Sequence, residues 1–169
     1  MTPAVAEFGR FAVKDVSIWD TSDIFALYSD EQTVRYMGVR RLETMTDAAE
    51  LISRLVLSET RWLSILSGTK FLGVVGLEIQ RHQATLSIAL NRSREARGAG
   101  RQFARPFVQW IFTHPQIWRV WSFVHVDNIP GQNVTERCGA LREGCLRRFE
   151  VFPNLGPEPQ DVYVYAITR

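Results

Sequence analysis

The ten residues from Arg92 to Arg101, "RSREARGAGR", hold four arginines and two glycines. They lie between a strand-like run, "ATLSIAL", and an apolar run, "FARPFVQWIF", with helical spacing. A helix start leaves its first N–H groups without intrahelical acceptors and carries about half a positive charge, so it suits an anion. Gly98 and Gly100 can take positive φ and aim successive N–H groups inward, while Arg97 and Arg101 can add charge-assisted bidentate contacts. The natural ligand of such a turn is a pyrophosphate. A Walker site is excluded, because no Lys-Ser/Thr follows the glycines. A dinucleotide fingerprint is excluded as well: the turn comes late in the chain, and "RVWSFVHV" supplies no acid for a ribose.

The elements that must position this turn follow from periodicity. "GRFAVKDVSIWDTSD" reads as a first strand ending in polar turn residues, followed by a short helix around "SDIFALYSD" with Ser22 or Asp23 as cap. In "MTDAAELISRLVLSE", Asp47 and Glu50 have capping-box spacing, and Leu51, Ile52, Leu55 and Val56 recur at helical intervals. Three strands come next, through "RWLSILS", "FLGVVGLEI" and "ATLSIAL". In the third, Ala84, Leu86, Ile88 and Leu90 face one way and Thr85, Ser87 and Ala89 the other. The helix after the turn has Phe103, Phe107, Trp110 and Ile111 on one stripe, and Pro106 beyond its first turn predicts a kink or a locally irregular start. "IWRVWSFVHV" is a strand, "DNIPGQNVTERCGA" a turn and short helix ending near Gly139, and "LREGCLRRFEVF" and "DVYVYAIT" are closing strands. Antiparallel hairpins on each side of one strand-helix-strand crossover make the class mixed α/β, an α+β mixed sheet.

The totals set limits on function. A chain of 169 residues suits one domain, here 1–169, and a net charge of +2 is far below that of a dedicated nucleic-acid binder. Cys138 and Cys145, with no second pair or nearby histidine, suggest neither a zinc site nor a disulfide framework, so no metal is expected. The apolar run "FLGVVGLEI" is too short to span a bilayer, and the start of the chain lacks a signal-peptide pattern; both lead us to expect a cytoplasmic protein without a membrane partner.

Arg97-Gly98-Ala99-Gly100 resembles the cofactor signature of the GNAT superfamily of acyl-CoA-dependent N-acetyltransferases: Gln or Arg, two residues, Gly, one residue, then Gly or Ala. Arg101 and Gln102 complete the turn, and Gln102 departs at the last place. "HVDNIPGQNVTERCGALREGCLRRFEV" and "DVYVYAITR", with Asn128, Gly139, "EGCLRR" and Asp161 in order, are similar to the tail of the ribosomal-protein N-terminal (RimJ/RimL-type) branch. The resemblance spans nearly the whole chain. It implies a single domain with a twisted, mostly antiparallel sheet flanked by helices, whose central parallel strands, "ATLSIAL" and "WSFVHV", splay apart. It further implies acetyl-CoA as cosubstrate, its pantetheine bonded along Ser87 to Leu90 like an extra strand. The cofactor-binding residues it assigns are Ala89, Leu90 and Arg92 at the strand end, Arg97, Gly98, Ala99, Gly100, Arg101 and Gln102 in the turn, and Asn128 and Asn133 beyond. Asn128 would bond the pantetheine or fix its loop.

The implied reaction is direct attack of a neutral amine on the thioester, with no covalent enzyme intermediate. Many members carry a glutamate where Thr85 stands and a tyrosine or serine acid where Thr135 and Gly131 stand. Glu150, matching a carboxylate of the ribosomal-protein branch, is the first candidate base. Thr135 and Glu78 are the others named for catalysis, Glu78 also reading as a solvated strand end. His125 shares a strand face with Trp121 and Phe123 and is expected to be structural. Core packing is expected for the five tryptophans and burial for both cysteines. Arg147 and Arg148 have opposite parity on one strand. The expected acceptor is a primary amine, either a protein or peptide N-terminus or a small molecule such as a polyamine, aminoglycoside or amino acid. A non-catalytic acyl-CoA sensor and an RNA- or ribosome-binding module are the competing readings. The aromatic content permits a homodimer.

Overall fold

The computed structural model describes residues 4–92 and 98–169, and of Arg101 the backbone alone. The strands β1 (Ala6–Phe8), β2 (Phe11–Asp15), β3 (Arg61–Ser67), β4 (Lys70–Gln80), β5 (Gln83–Leu90), β6 (Arg119–His125), β7 (Leu141–Val151) and β8 (Pro159–Thr168) form one eight-stranded sheet in the order β1-β2-β3-β4-β5-β6-β8-β7. All neighbours run antiparallel except β5 and β6, joined by the crossover helix α4 (Ala99–Ile111). The helices α1 (Thr21–Ser29), α2 (Glu31–Val34) and α3 (Met45–Leu57) precede β3, and α5 (Ile129–Arg137) follows β6.

Alternation along β5 divides the core as the sequence predicts. Ala84 and Leu86 join the cluster under α4, where Phe103, Phe107 and Ile111 are fully buried against Leu63 and Ile65. Ala89 joins the opposite cluster, where Ile24 and Leu27 of α1 and Leu51, Ile52 and Leu55 of α3 pack on Val74. We call these the α4 face and the α3 face. A buried carboxylate anchors the second: Asp20 takes hydrogen bonds from Lys14 Nζ at 2.5 Å, Ser17 N at 3.0 Å and Ser64 Oγ at 3.1 Å.

The parallel seam is short. Among the described residues, β5 and β6 pair only at Gln83–Arg119, Ala84–Val120 and Thr85–Trp121. Beyond these rows β5 stays with β4 as far as Leu90–Gly73, while β6 stays with β8 as far as His125–Val162. Side chains hold the parted ends. Asn91 bonds back to β4, its N–H to Leu72 O at 2.8 Å and its Nδ2 to Phe71 O at 2.9 Å. On the other side, Gln132 of α5 donates from Nε2 to Val126 O at 2.7 Å and His125 O at 3.2 Å. A bulge adds twist where β5 turns away: the β3–β4 register shifts between Ile65 and Leu66, and a Cβ on Gly73, at φ +156°, would stand 2.0 Å from Ala89 O.

Several local expectations are corrected. The first strand is a hairpin, β1 and β2, turning at Gly9 with φ +60°. Ser22 and Asp23 lie inside α1, whose N-cap is Asp20 at the end of a 3₁₀ turn, Ile18–Asp20. The capping box of α3 pairs Thr44 with Asp47 and leaves Glu50 out, because the helix starts one turn earlier than apolar periodicity marks. α4 runs through Pro106 as continuous helix. Cys138 is buried but Cys145 is exposed, and Trp19 and Trp118 stand 84% and 57% exposed, outside any core. The parity of Arg147 and Arg148 is broken by a register shift between Leu146 and Glu150, with Arg148 at φ +48° and its N–H on Asp161 Oδ1 at 2.9 Å.

His125 is structural in its contacts. It is 3% exposed, its ring lies against Tyr36 and edge-on to Phe152, and its Nδ1 accepts the Asp127 N–H at 3.0 Å. Burial holds its pKa below the ordinary 6.5, against the pull of Asp127 and Asp161 and with the help of Arg35. A proton on Nδ1 would also set one donor against another. Below the ordinary value the unfolded chain therefore takes up a proton that the folded chain refuses, and stability falls as pH drops. We predict that the urea midpoint falls more between about pH 7.5 and about pH 5.5 in the parent than in His125→Asn, whose amide oxygen keeps the Asp127 contact.

Candidate functional site

The seam opens toward the start of α4. Gly98 caps this helix in the left-handed region, φ 74° and ψ −5°, and the Gln102 N–H closes on Gly98 O at 3.2 Å. The N–H groups of Ala99, Gly100 and Arg101 precede that bond and lack intrahelical acceptors by helix geometry. Ala99 is fully buried and Gln102 exposed. Gly100 sets how closely the helix approaches: an added Cβ would stand 3.1 Å from Leu90 Cδ1 and 3.3 Å from Val134 Cγ1. Its lack of a side chain thus brings the first turn of α4 against both the end of β5 and α5. Arg97 and the Arg101 side chain lie outside the described residues; Arg92 is exposed after β5.

Asn128 works on its own loop. It caps α5, its Oδ1 accepting the Gly131 N–H at 3.1 Å, and a Cβ at Gly131 would come within 2.6 Å of Asn128 Nδ2. α5 is docked by Tyr165 Oη, which donates to Glu136 Oε1 at 3.1 Å. Asn133 points to solvent, and the Thr135 hydroxyl bonds back to Gly131 O at 2.9 Å inside the helix.

On the α3 face, rows of paired residues cross the seam. The last closed row runs Glu78, Thr85, Trp121, Ala166. Paired residues share a sheet face, so Glu78 stands beside Thr85, one strand further from the seam. Its half-buried carboxylate accepts from Thr60 Oγ1 at 3.3 Å and from Gln80 Nε2. The next row is open: Trp62, Gly76 and Ser87 on one side, Phe123 and Val164 on the other. The Trp62 ring lies over Gly76, and Phe149 meets Phe123 edge-on at 5.2 Å.

The structure does not bring Glu150 to this point. Glu150 pairs with Gln160, six residues along β8 from Ala166, roughly 20 Å at strand rise. It accepts the Val151 N–H at 3.1 Å and lines a cleft with Arg40, Arg41, Glu50 and Arg54. A second cleft, of about 500 Å³, lies at the far end of β6 and is lined by His125, Asp127, Arg148, Glu158, Gln160 and Asp161. Sequence reasoning missed Asn91, Gln132 and Trp62. Asn91 follows a strand, which is a weak signal; a glutamine inside a helix and a tryptophan in a strand give none.

Among the described residues, no three His, Cys, Asp or Glu side chains converge as a metal would need, and no helix is long and apolar enough to cross a membrane. The acetyltransferase (GNAT) domain model matches residues 10–141. An uncharacterized N-acetyltransferase, YoaA of Bacillus subtilis (strain 168), is 23% identical, over 98% of this chain and 97% of that protein. Two solved structures share the fold. RimL, the ribosomal L7/L12 alpha-N-protein acetyltransferase, has a TM-score of 0.85 at 16% identity, covering 100% of this chain and 96% of its own. The spermidine N-acetyltransferase from Vibrio cholerae, solved with CoA and spermine, has a TM-score of 0.77 at 20% identity, covering 94% and 95%. With a family model over most of its length and a sheet that parts where the resemblance requires, the chain belongs to the GNAT acetyltransferases and is an acyltransferase.

Proposed function

We propose that the protein transfers an acetyl group from acetyl-CoA to a primary amine, with the cofactor in the parted seam and the amine approaching from the α3 face. The observation that carries this reading is the seam itself: five residues of β5, Leu86 to Leu90, have β4 on one side and, among the described residues, no strand on the other. That edge suits an extended pantetheine with amides to bond. The residues fit the rest of the cofactor: Gly98, Ala99, Gly100, Arg101 and Gln102 offer first-turn N–H groups to the pyrophosphate, and Ala89 and Leu90 offer backbone to the arm. In this reading Arg92 and Arg97 add charge from the preceding loop, and Asn128 holds the loop beside the arm rather than the arm itself.

Acetyl-CoA supplies the thioester whose carbonyl carbon the amine attacks. The chain's residues must take one proton from the ammonium and stabilise the oxygen that gains charge. Glu78 is our assignment for the base, directly or through one water. It stands on the amine's side of the sheet at the closed end of the seam, where the amine meets the carbonyl, and Thr60 and Gln80 hold its carboxylate. An N–H on the free edge of β5 is the donor for the oxyanion. Thr135 has its hydroxyl turned into α5, and Glu150 is a strand length away. A polypeptide N-terminus or a small amine is the acceptor.

Two outcomes follow. Gln102→Glu adds a negative charge at a helix start, which favours the helix but opposes a phosphate. Its melting temperature is expected to hold or rise, while calorimetry shows CoA binding weakened at least about tenfold. Glu78→Gln is expected to lower kcat by on the order of 100-fold or more with the KM for acetyl-CoA little changed, and Glu150→Gln by far less. Equal losses in both variants would remove Glu78 from its role.

A further inference from the structure

The row beyond the closed end of the seam is walled by aromatic rings around small residues. On the β5 side Trp62 lies over Gly76, next to exposed Ser87; on the β6 side stand Phe123 and, edge-on to it, Phe149. Phe149 is 45% exposed, and its neighbours on the same face, Leu146 and Leu141, are 39% and 75% exposed. Phe149 lies within the β7 register shift and meets Phe123 across β8. Trp62 also packs against the core of the α3 face, as expected of a tryptophan, and the three rings together border the open row.

Charge is sparse in the same place. Glu78 is the carboxylate of the closed row. Glu143 is already bonded at both oxygens by Arg119, and Glu150, next to Phe149 in the chain, pairs four residues along β8 from the Phe123–Val164 row, roughly 13 Å at strand rise. A polycation needs several carboxylates spaced along its length. Among the described residues, the closed row and the row beyond it present one, Glu78, between apolar walls, while Asp127, Glu158 and Asp161 stand at the far end of β6.

We infer that Trp62, Phe123 and Phe149 set acceptor specificity, admitting a primary ammonium carried on an apolar or aromatic body, with Glu78 as its counter-charge, in preference to a polyamine. This rests on the acetyl-transfer reading above. The rings remove the apolar body from water and stack on it where it is flat, and their π faces favour the adjacent cation. A free arylalkylamine and a polypeptide beginning with an apolar residue share this chemistry.

The test uses the intact protein with phenethylamine, a tripeptide beginning with phenylalanine, and spermidine. Acetylation is followed by mass, and binding of each amine to the CoA-loaded protein by tryptophan fluorescence. The parent is expected to prefer phenethylamine or the peptide over spermidine in kcat/KM by at least about tenfold, and the better of the two identifies the source. Trp62→Leu and Phe123→Leu should each erase most of that preference, through KM for the amine, while CoA affinity by calorimetry holds. Phe149→Ser, on an exposed edge where folding is not at stake, should reduce it as well. Spermidine acetylated as well as phenethylamine, or a preference unmoved in all three variants, overturns the inference and leaves the transferase reading standing. Selective binding of phenethylamine, lost in Trp62→Leu, with no amine acetylated at all, supports the inference and removes the transferase reading.

Discussion

A sheet can open along a seam only if the strand ends that part are bonded elsewhere, because a buried N–H or C=O without a partner is costly. Here that requirement is met from two sides by two amide side chains. Asn91 ties the end of β5 back onto Phe71 and Leu72 of β4, and Gln132 reaches from α5 to the carbonyls of His125 and Val126 at the end of β6. Each half of the sheet then continues with its outer neighbour in unbroken register, and the inner edges are left to a ligand that can bond like a strand. The helix starts that face this opening depend on the same arrangement. α4 approaches β5 because Gly100 has no Cβ, and α5 begins where Asn128 can cap it because Gly131 has none.

The strands of the crossover, the apolar stripe of α4, the closing hairpin and the division of β5 between two cores were all readable from periods of 2 and 3.6. These patterns record burial, and burial is what residue type encodes most directly. Boundaries were less readable. Ser22, Asp23 and Glu50 have the chemistry of caps, but the helices begin earlier, at Asp20 and Thr44, because a polar first turn carries no periodic signal. The bulge of β7 escaped for a related reason: nothing in "LRRFE" announces that Arg148 will take a positive φ, since the stabilising contact comes from Asp161 on another strand. Of the candidate site, the glycine turn was legible because two glycines and four arginines precede an apolar run in the order of the family's cofactor signature. The residues we assign to the acceptor side were not, because they come from β3, β4, β6 and β7 and meet only through register.

Electrostatics are local throughout. A net charge of +2 exerts little field at a distance, and three of the described cations on the strands are paired with carboxylates: Arg61 with Asp15, Lys14 with Asp20, Arg119 with Glu143. On the proposed reading, recognition of a phosphate comes from oriented N–H groups and the arginines of one turn. Recognition of a cation must come from the few carboxylates left without a basic partner near the opening. The two needs are kept apart by the sheet, with α4 and its anion-ready start on one face and Glu78 on the other.

Placing the carboxylate on β4 rather than on β5 has a geometric consequence. Thr85 and Glu78 face each other across the strands, so the charge moves sideways by one strand spacing, about 4.8 Å, without leaving the row. A base on β5 would crowd the seam. On the proposed reading, a base on β4 leaves Thr85 and Ser87 as a low floor between itself and the opening. Gly76 keeps that floor low and lets Trp62 lie across it; a side chain at this position would meet the indole ring at 2.9 Å. On the proposed reading the glutamate, the small residues and the tryptophan form one solution: distance gained for the charge becomes room for the acceptor, and the ring that borders this room selects the bodies that fill it.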